Sequence, residues 1–517
     1  KALHDMGNAL KGVTFDQPIF GLQKILCLLI DQKNFVRPKD IAGAAISLLK
    51  LEPNLQKHLS KPEMIRDKHS LQVTVSELSC LPLLLKLMHV CPLADLGLES
   101  LLREIRTGIL LNLSSFVGNS DVLEFQSALA SQCFINEYVY GKSEDEEQLI
   151  TTLENSVQTY IEKGEKPSPQ AILCLASYKA LYEYEFSKFL TDPGDFYQVF
   201  IQQVSEPKIE NQLKNNIPKL KGINDNISMK VQAQYESNPY PRWVNLGLPL
   251  RPHPISKILD YSKIKLFDVS ISKVTTPTIL IAGCGTGQHS IGTAASFENS
   301  KVMAVDLSLS SLAYAQRKSV EFGITNIKYM QADLLHLNKL DIQFDIIESA
   351  GVLHHMENPL KGWRVLVGCL KAGGLMKIGL YSELARKHIT EVRREVYQTG
   401  TCQSDVEMKS FRDLVINSDL EHHNNVKLSP DFYSLSTLRD LVFHVQEHRF
   451  TIPKLKKCLV ELGLEFCGFE DRRIVQNFSD SNIKKDDLYD LDKWQKFEEA
   501  NPTIFAGMYE FWCQKIS

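Results

Sequence analysis

Thr278-Ile279-Leu280-Ile281-Ala282-Gly283-Cys284-Gly285-Thr286-Gly287 runs a short apolar stretch straight into glycines spaced by single residues. An unbroken apolar run of this length predicts a strand buried on both faces. Glycines at its end let the backbone turn sharply and approach a ligand where any side chain would collide. The helix that follows aims its amide-rich N-terminus at the same point. In an open α/β sheet this is the crevice at the carboxyl ends of the strands, where ligands bind. A dinucleotide fingerprint would place its third glycine at position 288, but Gln288 stands there, so the spacing is G-x-G-x-G.

Downstream, apolar runs alternate with helical patterns, which predicts a parallel sheet. Further strands are expected at 301–305, 327–330, 344–348 and 375–381, with helices between them at 312–322 and 359–370. The sheet is expected to resume near 464–469 and to end with a strand at roughly 505–514. Asp306 closes the second strand, where a carboxylate can accept from both hydroxyls of a ribose and can also cap the segment that starts at Leu307. The third strand leads into Gln331-Ala332-Asp333-Leu334, and the fourth into Glu348-Ser349-Ala350-Gly351-Val352-Leu353-His354-His355-Met356. Lys371-Ala372-Gly373-Gly374 precedes the fifth.

In order and spacing, these motifs resemble the class I S-adenosylmethionine-dependent methyltransferases, particularly their quinone-biosynthesis-like and related small-molecule branch. The resemblance implies a Rossmann-like α/β domain with a seven-stranded, mostly parallel sheet. It implies S-adenosyl-L-methionine as cofactor, held by Gly283, Cys284, Gly285, Thr286, Gly287, Asp306, Leu307, Asp333, Leu334, Glu348 and Ser349, with Asp333 on the adenine amino group. No metal is implied.

Methyl transfer is an in-line displacement at an activated carbon, so the enzyme must align the acceptor and exclude water. A hydroxyl or protonated amine also needs a base. His354 and His355 follow the fourth strand, where the acceptor should approach, and titrate in a suitable range. One of them is a candidate base; both equally suit a loop-orienting role. Upstream, Gln234-Tyr235-Glu236-Ser237-Asn238-Pro239-Tyr240-Pro241-Arg242-Trp243 precedes the first strand. Tyr235, Tyr240, Arg242 and Trp243 are expected to form a lid over the site, Tyr235 being a further catalytic candidate; a proline-rigid linker with core-plugging aromatics is the alternative. Asn238-Pro239-Tyr240 matches an amino-methylating triplet of DNA methyltransferases, but that triplet belongs after the fourth strand, so this reading is rejected. His444 to His448 satisfies H-x-x-E-H, a zinc-peptidase pattern that would place both imidazoles on one helix face. Its position inside a methyltransferase pattern argues instead for a polar helix face, with His444 and His448 on the acceptor side.

Residues 1–225 read as an all-α domain. Pro38 starts a helix carrying Ile41, Ala44, Ala45, Leu48 and Leu49, and Ser143 with Glu146 forms a capping box. Lys221-Gly222-Ile223-Asn224-Asp225-Asn226 marks a boundary, after which 226–274 reads as lid and linker and 275–517 as the sheet domain with a helical insertion at about 383–450. Residues 2–12 resemble the first helix of a tetratricopeptide repeat, and the whole resembles bacterial fusions of such repeats to a methyltransferase. That resemblance implies a protein or peptide acceptor. A small-molecule acceptor and a non-catalytic interaction protein remain alternatives.

The 517 residues exceed what one core supports. A net charge of −4, with no basic stripe, disfavours nucleic acid. The 11 cysteines show no pairing or zinc spacing, which fits reduced thiols and a cytoplasmic protein. The apolar region from Leu81 to Leu98 is broken by Lys86, His89 and Asp95 and predicts buried helices, so no membrane partner is expected.

Overall fold

The structure is a computed structural model and describes residues 1–65, 67–116, 120–190, 193–220, 222–400, 404–481 and 484–516. Lys221, at the expected boundary, lies outside them. Contacts divide the chain into two compact units.

The sheet unit takes Glu210–Pro241, Pro249–Tyr397 and Val442–Ser517. Its strands are β1 (Thr278–Ala282), β2 (Lys301–Asp306), β3 (Ile327–Gln331), β4 (Phe344–Ala350), β5 (Leu370–Leu380), β6 (Leu464–Phe469) and β7 (Tyr509–Lys515). They form one seven-stranded sheet in the order β3-β2-β1-β4-β5-β7-β6. All neighbours are parallel except β7, which runs antiparallel between β5 and β6. Strand alternation sends Ile279 and Ile281 into a core on one face, and Leu280 and Ala282 into a core on the other. Both faces are buried, which is why β1 shows no polar alternation. The strand order reverses between β1 and β4, and the glycine turn leaves β1 at that switch point. Local signals bound the flanking helices. Before Ile452–Leu462, Thr451 accepts from Lys454 N–H at 3.3 Å and Pro453 occupies the first turn, while Gly463 ends the helix at φ 66°.

The helical unit takes Lys1–Ile209, Arg242–Leu248 and Gln398–Leu441. Pro38–Leu49 begins at its proline, and the capping box forms: Ser143 Oγ accepts from Glu146 N–H at 3.2 Å while Glu146 Oε2 accepts from Ser143 N–H at 2.8 Å. The apolar region around Leu81 folds as Pro82–Met88 and the start of Leu96–Leu111, with Leu83, Leu84 and Leu87 buried. No single described helix is long and apolar enough to cross a membrane. Every described cysteine is free.

The segment read as a helical insertion at 383–450 divides. Lys387–Thr399 lies almost wholly within the sheet unit, while Asp405–Ile416 folds with the helical unit. There Arg412 donates from both terminal nitrogens to Glu99 at 2.6 Å and from Nε to the Phe432 carbonyl at 2.8 Å, all buried. Residues 444–449 are not helical. Phe450 N–H donates to the Tyr381 carbonyl and Glu383 N–H to the Phe450 carbonyl, which draws this stretch out beside the end of β5. The expected shared helix face of His444 and His448 therefore does not exist.

Candidate active site

The glycine turn needs its glycines for conformation and for space. Gly283, Gly285 and Gly287 all have left-handed φ, at 80°, 51° and 87°. A Cβ on Gly283 would lie 2.3 Å from Val352 Cγ2, and one on Gly285 would lie 2.8 Å from the Tyr240 carbonyl oxygen. The turn is held from below by Asp306, whose Oδ2 accepts from Gly285 N–H at 2.8 Å and whose Oδ1 accepts from Ser308 N–H at 2.9 Å. Burial pushes the Asp306 carboxyl up, and the hydrogen bonds from Ser308, Gly285 and Leu307 only partly oppose this. Asp333 Oδ1 accepts from Leu335 N–H at 2.9 Å, but its Oδ2 is buried with no hydrogen-bond partner among the described residues. Ser349 Oγ is in the same condition. Buried polar atoms are rarely left unpaired, so unmet acceptors at strand ends mark where a ligand donor belongs.

The segment before β1 closes over this turn. Thr286 donates from N–H to the Tyr240 carbonyl at 3.3 Å and from Oγ1 to the Pro241 carbonyl at 2.5 Å. Helix Asn226–Ser237, capped by Asp225 on Ser228 N–H, brings Glu236 to the loop after Asp306. Glu236 accepts from Ser308 Oγ, Ser310 N–H and Ser310 Oγ at 2.8–3.1 Å. The lid is thus fastened both to the glycine turn and to the carboxylate loop.

Beyond the lid, aromatic rings form a continuous series. Tyr240 stacks with Tyr235 at 6.1 Å between centroids, and Tyr235 meets His444 at 5.9 Å. His444 stacks on His355 at 3.6 Å, His355 meets His354 at 4.3 Å, and His354 stacks on Tyr381 at 3.9 Å. The Arg386 guanidinium covers the far face of the series, 3.6 Å from the Tyr381 centroid, and pairs with Glu447 at 2.8 Å. Burial, with His355 and Arg386 nearby, holds the His354 imidazole well below its ordinary range. Both His354 ring nitrogens lack hydrogen-bond partners among the described residues.

Residues 279–374 match the family model described as a methyltransferase domain. The chain carries a class I S-adenosylmethionine-dependent methyltransferase domain. An uncharacterized protein from Synechococcus sp. is 28% identical to it over 298 residues, covering 54% of this chain and 70% of that protein. Among solved structures, PKMT2 from Rickettsia typhi in complex with AdoHcy is similar at 15% identity and a TM-score of 0.37, covering 52% of this chain and 54% of that one. An S-adenosylmethionine-dependent methyltransferase from Clostridium acetobutylicum is similar at 22% identity and a TM-score of 0.22, covering 26% and 52%. The chain spans about half the length of these two solved proteins.

Within the methyltransferase domain, the cofactor side fits an adenosyl group. Asp306 offers carboxylate lone pairs where a diol would sit, and the orphaned Oδ2 of Asp333 suits an amino donor. Leu334 is buried in the core, and the Leu307 carbonyl accepts from Gln331 Nε2 at 2.8 Å. Cys284 is buried, and burial pushes its thiol far up, so it lines the turn as an apolar group. Glu348 departs from expectation. Strand alternation turns it away from Ser349, and its Oε2 accepts from His289 at 2.6 Å and Thr293 at 2.7 Å. Burial would raise it, yet His289, Lys377 and Thr293 outweigh burial and hold it down to about 2.

On the acceptor side, the domain brings together Tyr235, Tyr240, His354, His355 and His444. His448 sits beside them, donating its backbone N–H to the His354 carbonyl at 2.7 Å. Arg242 and Trp243, expected in the same lid, fold instead with the helical unit, where Arg242 Nε donates to Glu137 at 3.0 Å and Trp243 is buried. Sequence reasoning missed Glu236, Tyr381, Arg386 and Glu447. Glu236 did stand inside the quoted lid, and Glu447 inside the H-x-x-E-H stretch, and those places were the available signals.

Proposed function

We propose that the protein transfers a methyl group from S-adenosylmethionine to a protein or peptide side chain. The observation that carries the transferase reading is the constellation of glycine turn, Asp306 and the orphaned Asp333 Oδ2. The bound cofactor supplies a methyl carbon already activated on sulfur. The chain's own residues then hold the nucleoside, close the lid through Thr286, and keep water from the reacting atoms. His355 stands in the ring series as the base for an acceptor that must lose a proton. Every cofactor-side residue belongs to the sheet unit, which leaves a large helical unit for recruiting a macromolecular acceptor. Neither nucleic acid nor a membrane is invoked. A small-molecule acceptor is the second reading, favoured by the burial of His354, His355 and His444.

Calorimetric titration with S-adenosylmethionine is the first test. Binding that Asp306→Ala abolishes supports the reading, and no binding to folded protein sinks it. Transfer of tritiated methyl from the cofactor into the protein fraction of a cell extract then supports the side-chain acceptor. Label confined to the small-molecule filtrate overturns it in favour of the second reading.

A further inference from the structure

Asp306 receives the two hydroxyls of a ribose only if its carboxylate is turned toward them, and two backbone amides set that turn. Gly285 N–H holds Oδ2 at 2.8 Å and Ser308 N–H holds Oδ1 at 2.9 Å. Each amide belongs to a segment that is itself fastened to the stretch before β1. On the Gly285 side, the next residue, Thr286, donates to the Tyr240 and Pro241 carbonyls. On the Ser308 side, the Ser308 hydroxyl lies 3.0 Å from both the Tyr235 carbonyl and Glu236 Oε2.

Glu236 is the stronger of these last two holds. A hydroxyl has one hydrogen to give, and an ionised acceptor takes it more strongly than a carbonyl does. Ser310 N–H donates to the same Oε2 at 3.1 Å, and the Ser310 hydroxyl lies 2.8 Å from Oε1 and from the Glu236 carbonyl. Ser310 stands in the first turn of helix Leu309–Glu321, where amides lack intrahelical acceptors and the helix dipole favours a carboxylate. Ser308 caps that helix, accepting from Ser311 N–H at 3.0 Å. Glu236 therefore grips both the cap and the first turn, and the backbone amide of that cap is what aims Asp306. Burial raises the Asp306 carboxyl, and Glu236, a like charge, adds to the rise. Glu236 itself stays ionised: burial would raise it, but Ser310, Ser308 and Lys214, 3.5 Å from Oε1, hold it below the ordinary carboxylate range. Like charges oppose each other here, so the gain from Glu236 lies in the position it enforces and not in its field at Asp306.

We propose that Glu236 is a positioning residue for the cofactor: acting through Ser308, it holds the Asp306 carboxylate in the orientation that receives the ribose diol. The proposal rests on the methyltransferase reading above. It makes the lid helix Asn226–Ser237 part of the ribose site, because the residue that fixes the diol's acceptor is carried on its last turn.

The test compares S-adenosylhomocysteine with its 2′,3′-dideoxy analogue, which lacks the diol. Both are titrated into the full chain by calorimetry, with ligand-observed NMR for weak binding. The parent is expected to bind the analogue about tenfold or more weakly, because the acceptor built for the diol is left unmet. Glu236→Ala should weaken S-adenosylhomocysteine about tenfold, the usual effect of losing hydrogen bonds to a charged group, and leave the analogue within about threefold of the parent. Glu236→Gln still presents an oxygen to Ser308 and Ser310, and should restore S-adenosylhomocysteine binding to within about threefold. A residue that only supports the fold would weaken both ligands alike. Equal losses for the two ligands, no loss for either, or a Gln variant as weak as the Ala variant overturns the proposal. If Glu236→Ala does not fold, Ser310→Ala carries the same comparison: a loss confined to S-adenosylhomocysteine supports the assignment, and equal losses or none overturn it. Failure of S-adenosylhomocysteine to bind the folded parent is a different result, and sinks the methyltransferase reading itself.

Discussion

Asp306 does two things with one carboxylate, bracing the glycine turn and facing the cofactor side, and burial raises its proton affinity while it does so. Protonation removes both the charge and an acceptor. The affinity for S-adenosylmethionine is therefore expected to fall with decreasing pH from a point above about 3.9, where an ordinary aspartate would begin to titrate; calorimetry at stepped pH reads the midpoint. Gly285→Ala is expected to weaken the same binding at least tenfold, because the left-handed φ and the Tyr240 carbonyl at 2.8 Å both oppose a side chain. His354 and His444 are held neutral in the fold but take up protons when unfolded. Their contribution is full above the unfolded value and is lost as pH falls below about 6.5, at about 1.4 kcal/mol per pH unit for each ring. Urea melts of His354→Phe should show a shallower acid slope than the parent, and an unchanged slope would contradict this account. The places of the glycine turn and of the strand-end carboxylates were legible because turn geometry and strand ends dictate them. The partners of His355 and His444 were not, since both ring nitrogens are fixed by a backbone that no side-chain pattern reveals.

At the scale of elements, strand positions were readable to within a few residues, because burial on both faces leaves a continuous apolar run. The direction and place of β7 between β5 and β6 were not, since no periodicity encodes which neighbour a strand chooses. The stretch around H-x-x-E-H misled for a related reason. Its helical spacing is genuine, but its backbone groups are taken by the His354 carbonyl, His444 Nδ1 and His355 Nδ1, so no helix forms. Glu348 shows how one strand serves two faces. Its carboxyl lies well below the ordinary range, so its stabilising effect is present above about pH 4.3 and lost as pH falls toward about 2. His289 is one-third exposed, and solvent weakens the pair. His289→Ala is expected to cost about 1–2 kcal/mol at neutral pH and little near pH 2, read by chemical denaturation.

At the scale of the whole molecule, each unit is assembled from separated stretches of chain. The sequence reading placed the boundary near residue 225, where composition changes, but a compact unit is defined by contacts. The buried Arg412–Glu99 pair ties residues far apart in sequence into one helical unit. Arg412→Met is expected to cost about 3–5 kcal/mol, because it strands a buried carboxylate. A fragment of residues 1–225 should likewise lack a cooperative thermal transition by circular dichroism. A sharp two-state melt of that fragment would show that the later segment is dispensable.

β7 follows β6 in sequence, yet it lies between β5 and β6 in the sheet. During vectorial synthesis β1 to β6 leave the ribosome before the strand that joins β5 to β6 exists. Until residues 509–515 emerge, β5 presents an open, apolar edge and β6 has no partner. Cutting the chain ahead of residue 509 is therefore expected to unpair β6 altogether and bare the edge of β5, rather than to trim a tail.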